Sequence, residues 1–316
     1  MGSRRTFLKQ SVLGSVAIST CWPRILTAAE LHPALPPNLR ISLAQWSLHR
    51  SLEKGELKAE NFPKIARKTF DIGAVEYVNQ FYRDYIGKPA LWNQLRQQAD
   101  SEGVQSLLIM VDEEGHLGAS DDMERTIAVQ RHGTWLEAAK ILRCHSIRVN
   151  AFGSGPRPEL KNALVDGLGR LAELGADMRI NILVENHGYH TSDAAFMAAI
   201  IREVDNPYLG TLPDFGNWCL TKEWGSTQGG TCSDSYDPVK GVSEFLPFAK
   251  GVSAKSYDFN AEGNETLLPY RALLQKVKDS GFAGHIGIEY EGSRLSEAEG
   301  IRATKTLIEK VWANLD

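Results

Sequence analysis

From residue 40 onward, short apolar runs alternate with longer stretches whose apolar residues recur at helical spacing. A short run that is apolar throughout predicts a strand buried on both faces, whereas apolar residues three and four apart predict a helix with one buried stripe. The pattern predicts strands at Arg40–Trp46, Ala74–Val78, Gln105–Val111, Ser146–Phe152, Ile180–His187, Leu209–Phe215, Gly251–Tyr257 and His285–Tyr290. Between and after them it predicts helices at Ala59–Phe70, Pro89–Glu102, Met123–Leu142, Pro158–Asp177, Ser192–Val204, Val239–Ala249, Leu268–Ser280 and Ser296–Trp312. Gly103 and Gly281 follow two of these helices at the position where a left-handed residue closes a C-terminus. Eight strands alternating with eight helices predict an α/β fold, a (β/α)8 TIM barrel forming a single domain. An open doubly wound sheet would carry a glycine-rich turn after its first strand. Gln45-Trp46-Ser47-Leu48-His49 stands there instead, so no dinucleotide fingerprint is present.

Three of the strands end in carboxylates: Ile182-Leu183-Val184-Glu185, Leu209-Gly210-Thr211-Leu212-Pro213-Asp214 and Ile286-Gly287-Ile288-Glu289-Tyr290-Glu291. Burying an uncompensated carboxylate costs several kcal/mol, so three at matching strand ends call for a shared reason. In a barrel the C-terminal strand ends form one rim, where active sites lie. Glu185, Asp214 and Glu289 fall there, and Glu76, Asn150 and His187 are expected to project to the same rim, with His116 just past the third strand. Carboxylates and an imidazole around one cavity suit a hard or borderline divalent ion such as Mg²⁺, Mn²⁺ or Zn²⁺. A single strand-end carboxylate would be explained by bonding to a helix N-terminus, but three together favour a site. Trp46, His49, Phe81, Tyr82, Tyr189 and His190 are further candidates for the mouth, each singly better explained by packing or surface.

Composition narrows the field. The 316 residues are 42% hydrophobic and 23% charged, as in a soluble protein with a large core. A net charge of -4 gives no basic footprint for nucleic acid. Residues 1–29 resemble a twin-arginine export signal: Arg4-Arg5 precedes a weakly apolar run too short for a membrane span, and Thr27-Ala28-Ala29 supplies small residues for cleavage. Residues 30–39 form a Pro-rich linker and the barrel is expected over 40–316, in a protein exported to the periplasm. Of the cysteines beyond the signal, Cys144 is expected in the core, while Cys219 and Cys232 share one long loop and can pair, although an odd count argues against a disulfide framework. That loop, Trp218–Pro238, is long for a βα connection. Its Trp218, Trp224 and Tyr236 suit a lid whose rings stack on a bound molecule, or else an insertion or an oligomer contact.

The segments Leu183-Val184-Glu185-Asn186-His187-Gly188, Pro213-Asp214-Phe215-Gly216-Asn217, Val252-Ser253-Ala254-Lys255 and Ile288-Glu289-Tyr290-Glu291-Gly292 resemble the xylose isomerase-like barrel family of sugar phosphate isomerases and epimerases. The resemblance implies metal ligands at Glu185, Asp214 and Glu289. It also implies proton transfer by Glu185 and Glu289 on either side of a substrate. The residues expected at the rim and in the long loop, His187, Glu76, Asn150, Asn217, Trp218 and His116, are candidates for substrate contacts. The chain departs from the family on the seventh strand, where Ser253 stands in place of the usual metal histidine. Either water fills the coordination, or His187 or Asn217 shifts in, or the metal is lost. Lys255 holds a substrate oxyanion or pairs with Asp258 or Glu289.

The function this implies is a metal-dependent isomerase or epimerase acting on a non-phosphorylated sugar or keto-sugar, through proton abstraction next to a carbonyl and an ene-diolate. A keto-glycoside lyase or hydrolase would use the same first step. A metal-dependent phosphodiesterase like endonuclease IV needs more histidines and a basic groove. A decayed barrel that only binds carbohydrate is the reading outside enzymology. A homo-oligomer is compatible with all of these.

Overall fold

The computed structural model describes residues 38–316. The export signal and nearly all of the linker lie outside the described residues. Strands β1 (Ile41–Ala44), β2 (Ala74–Val78), β3 (Gln105–Val111), β4 (Ser146–Val149), β5 (Asn181–Glu185), β6 (Leu209–Leu212), β7 (Val252–Ser256) and β8 (Ile286–Tyr290) all fall inside the predicted segments. They pair in parallel in the order β6-β5-β4-β3-β2-β1-β8-β7. The ring closes between β6 and β7 through short contacts only. Ser253 donates its N–H to Pro213 and accepts one from Phe215, both at 3.0 Å, and Lys250 donates to Thr211 at 3.1 Å. Pro213 has no N–H to offer at this seam, so regular pairing is interrupted next to Asp214.

The helices around the barrel are α1 (His49–Glu53), α2 (Phe62–Phe70), α3 (Pro89–Ser101), α4 (Asp122–Leu142), α5 (Arg157–Met178), α6 (Ala194–Val204), α7 (Pro238–Phe245), α8 (Tyr270–Asp279) and α9 (Glu297–Ala313). The helix expected from Ala59 begins as a separate 3₁₀ turn, Ala59–Asn61, with Pro63 in the first turn of α2. The one expected through Ala249 stops at Phe245, because Pro247 lacks the N–H that a continued helix needs. Ser296 and Glu299 cap the start of α9 reciprocally. Gly103 and Gly281 adopt the expected left-handed conformation, φ 63° and 71°.

Two apolar layers follow from the period-two alternation of the strands. Outward residues such as Ile147, Val149, Ile182 and Val184 pack on the helices in the main core. Inward residues Ala44, Val78, Leu108, Met110, Leu183 and Leu212 form a second cluster inside the barrel, with Trp46 and Phe81 packed on it. This plug supports the polar rim. Among the described residues no helix is long and apolar enough to cross a membrane.

The loop after β6 is fastened rather than loose. Cys219 and Cys232 form a disulfide with their Cα atoms 5.7 Å apart. Trp218 is fully buried and lies so close to α7 that a Cβ on Gly241 would fall 2.3 Å from its ring. Gly188 pairs with Glu223, and a Cβ there would meet the Lys222 carbonyl at 2.1 Å. Cys144 is buried and free, as expected.

Candidate active site

Glu185 is the last residue of β5, Glu289 lies in β8, and Asp214 sits two residues past β6 at the seam. All three are buried, and one carboxylate oxygen from each lies within 4.8 Å of the others. Backbone and side-chain bonds fix the arrangement. Asp214 Oδ1 accepts from the N–H groups of Gly216 and Asn217 at 2.7 and 2.9 Å. Asn186 spans the turn by accepting the Asp214 N–H and donating to the carbonyls of Asp214 and Asn217. Asn217 Nδ2 donates to Glu185 Oε1 at 3.2 Å. Ser253 Oγ lies 2.5 Å from Asp214 Oδ2 and 2.8 Å from Glu289 Oε2. A hydroxyl donates only once, so it serves both oxygens only when one of the two carboxyl groups carries a proton. Burial, with the Glu289 charge, pushes Asp214 up to about 7 against the pull of Lys255. Burial likewise drives Glu185 well above its ordinary range.

Two buried cations answer this charge. Lys255 Nζ is 3.5 Å from Glu289 Oε1 and 3.2 Å from Glu291 Oε1. Burial opposes its charge, but Asp214, Glu289 and Glu291 more than offset that and hold the ammonium protonated. Of the roles expected for Lys255, the structure shows pairing with Glu289; Asp258 pairs with Arg294 instead. Arg148, inward-facing on β4, places Nε 2.7 Å from Glu185 Oε2 and Nη1 2.5 Å from Asp112 Oδ1. The first contact lacks hydrogen-bond alignment and acts as an ion pair. Burial works against the Asp112 charge, yet Arg148 holds that carboxyl below its ordinary value. Asn150 continues the chain, donating to Asp112 Oδ1 at 2.7 Å, with Oδ1 2.7 Å from His187 Nδ1. With the amide so assigned, His187 carries its proton on Nδ1 and its Nε2 remains an acceptor. Burial and Arg148 keep this imidazole neutral, well below its ordinary value.

A cavity of about 310 Å³ opens above these groups, with Glu289, Lys255, Arg148 and His187 in its floor and Trp46 and Trp224 among its walls. The expected residues divide by depth. Glu289, Lys255 and His187 reach the cavity, while Glu185, Asp214 and Asn217 form the layer beneath. Asn150 faces a neighbouring hollow with His116. Glu76 does not reach the rim. It sits mid-strand inside the barrel, accepts from Ser42 Oγ at 2.6 Å and packs on Gly287, where a Cβ would be 2.7 Å from its carboxylate. Burial pushes this carboxyl up to about 7. Trp218 packs against α7 and Phe245, so Trp224 is the loop tryptophan that meets the cavity. Arg148 and Asp112 were not singled out from the sequence. Arg148 lies two residues before Asn150 on the same predicted strand and so shares its face, a signal available without the structure.

Barrel, seam and strand-end carboxylates together define a (β/α)8 protein with its polar site at the C-terminal rim. The chain belongs to the xylose isomerase-like TIM barrel family, whose model matches residues 66–311. It is similar to the D-psicose 3-epimerase of Clostridium cellulolyticum H10, at 11% identity over 87% of this chain and 96% of that one, with a TM-score of 0.63. The 3-keto-D-glucoside 4-epimerase of E. coli is similar at 12% identity over 80% and 94%, TM-score 0.63. The IolI protein with a bound zinc atom is similar at 12% over 88% and 99%, TM-score 0.61. At such identities the likeness speaks for the fold. No curated protein matches the sequence.

Proposed function

We propose that this protein is a metal-dependent isomerase or epimerase of a non-phosphorylated sugar or keto-sugar, working by proton transfer next to a carbonyl. The observation that carries the reading is the convergence of Glu185, Asp214 and Glu289 within 4.8 Å beneath one cavity. Family membership and the sugar epimerases among the similar structures support it.

The donor set suits a divalent ion. Three buried carboxylates stand together, and one neighbouring oxygen, Asn217 Oδ1, lacks a hydrogen-bond partner. Glu185, Asp214 and Glu289 would hold the ion, and Ser253 and Asn217 add oxygens in place of a histidine nitrogen, which favours Mg²⁺ or Mn²⁺ over Zn²⁺. When bound, it would polarise a carbonyl and stabilise the negative charge left by proton removal. Glu289 lines the cavity and is the base favoured by access. Glu185 lies beneath the floor against Arg148, so it would hold the ion rather than face the substrate. Lys255 orients Glu289, and His187 Nε2 accepts from a substrate hydroxyl.

The cavity walls set the substrate's charge. Asp112, Glu113, Glu289 and Glu291 face Arg148 and Lys255, and both cations are already paired. A phosphate would find no free partner, which supports an uncharged sugar. The disulfide supports an oxidising location such as the periplasm. Metal analysis before and after EDTA tests the reading. Purified protein should carry about one divalent ion and lose turnover on chelation, regaining it with Mn²⁺ or Mg²⁺. Turnover on a keto-sugar that EDTA leaves intact would overturn the metal assignment.

A further inference from the structure

Trp224 lines a second hollow beside the cavity above Glu289. This second chamber, of about 340 Å³, shares Glu113 and Trp224 with the first. It shares Gly115, His116 and Arg131 with a more open hollow of about 300 Å³ over the start of α4. The three hollows adjoin one another from the carboxylate cluster outward through these shared residues. The second chamber contains none of the cluster's residues, so the proton-transfer chemistry leaves it unexplained.

Its chemistry is specific. Phe152 lines it, with Trp224 edge-on at 5.7 Å and His116 edge-on at 6.3 Å. Glu113, Arg131 and Asn150 surround these rings with acceptors and donors. A pyranose has an apolar C–H face and an equatorial belt of hydroxyls, and it matches aromatic faces framed by planar polar groups. An apolar aglycone would leave the polar groups unused, and a small ion would leave the rings unused. Trp224 is held at the junction of the chambers by strain and by contact. Its φ of 65° is one a bulky side chain rarely adopts, and its neighbours are clamped against Gly188.

We propose that the second chamber binds a second saccharide ring, so that the substrate is a disaccharide or longer glycoside with its reacting ring beside Glu289. This rests on the proton-transfer reading of the first chamber. With the reacting ring taken as the one joined through its anomeric carbon, that ring cannot open, so its carbonyl must be a ketone on the ring. The proton next to it passes to the Glu289 carboxylate, the C–H electron pair forms the enolate, and reprotonation at carbon restores the ketone.

The test measures solvent deuterium entering 3-keto-cellobiose and 3-keto-maltose against the matching methyl 3-keto-glucosides. Calorimetry of cellobiose and maltose against methyl glucosides runs in parallel. The disaccharides should exchange with a kcat/KM roughly tenfold or more above the methyl glucosides and bind more tightly. Arg131→Ala and His116→Ala should each erode that preference by about fivefold, mainly through KM. Exchange without a disaccharide preference overturns the second chamber and leaves the proton-transfer reading standing. A binding preference that the variants abolish, without exchange on any substrate, upholds the chamber and overturns the proton-transfer reading. Neither exchange nor preference overturns both.

Discussion

Ser253 occupies the place where the family resemblance calls for a histidine, and its environment shows what the hydroxyl does there. It bridges Asp214 and Glu289 at 2.5 and 2.8 Å, which a bulkier imidazole could not do without moving both carboxyl groups. Arg148 and Lys255 supply the positive charge that makes such an acidic layer tolerable. Glu289 was legible because its strand is apolar up to the carboxylate. Arg148 was not, because an arginine within Ile147-Arg148-Val149 also reads as a surface residue, and only its parity with Asn150 gives it away. Glu76 illustrates the opposite failure: its place toward the end of the second strand suggested the rim, but the sequence says nothing of its depth along the barrel axis. Its carboxyl, raised from 4.5 to about 7, is stable when protonated. The stability it contributes is full below its unfolded value and is lost as the pH rises through the folded one. Glu76→Gln should therefore remove that loss and stabilise the protein at pH 8 by up to about 3 kcal/mol, with little change at pH 4. Urea titrations at the two pH values check this; equal effects at both would contradict the assignment.

At the level of elements, strand positions were legible to within a few residues because both faces are buried and each run is apolar. Strand ends were overestimated where polar residues such as Asn150 and His187 continue the chain over the rim after pairing has stopped. The long connection after β6 was recognised as unusual, but its wiring was not, since no local pattern tells which of Trp218 and Trp224 turns inward. The close approach of Trp218 to Gly241 decides it. The disulfide closes a separation of 13 residues around the segment that carries Trp224 and Ser226 into the cavity. Cys219→Ser with Cys232→Ser should lower stability by up to about 3 kcal/mol and raise KM several-fold at nearly constant kcat. An unchanged KM in the folded double variant would separate this loop from substrate binding.

For the whole molecule, strict alternation of strand and helix already implied a barrel, and the parallel order of the strands agrees. Convergence of three strand ends follows from barrel closure, which is why the carboxylate cluster could be anticipated before any distance was known. What closure could not reveal is which groups stand in front. Glu289 faces the cavity, whereas Glu185 and Asp214 lie beneath it. The overall charge of -4 and the acidic walls predict discrimination on charge. A phosphorylated keto-sugar should react with a kcat/KM lower by roughly 100-fold than its neutral counterpart, and the gap should narrow as salt rises. Comparable turnover of both at low salt would rule out the charge argument. The central claim is that the carboxylate cluster moves a proton to and from carbon. Incorporation of deuterium from D₂O into a keto-sugar, followed by NMR for the wild-type protein and for Glu289→Gln, tests it most directly. The account predicts catalysed incorporation next to the carbonyl by the wild type and a loss of about 1,000-fold or more in a variant that keeps its fold. Incorporation by Glu289→Gln at near wild-type rate would contradict it.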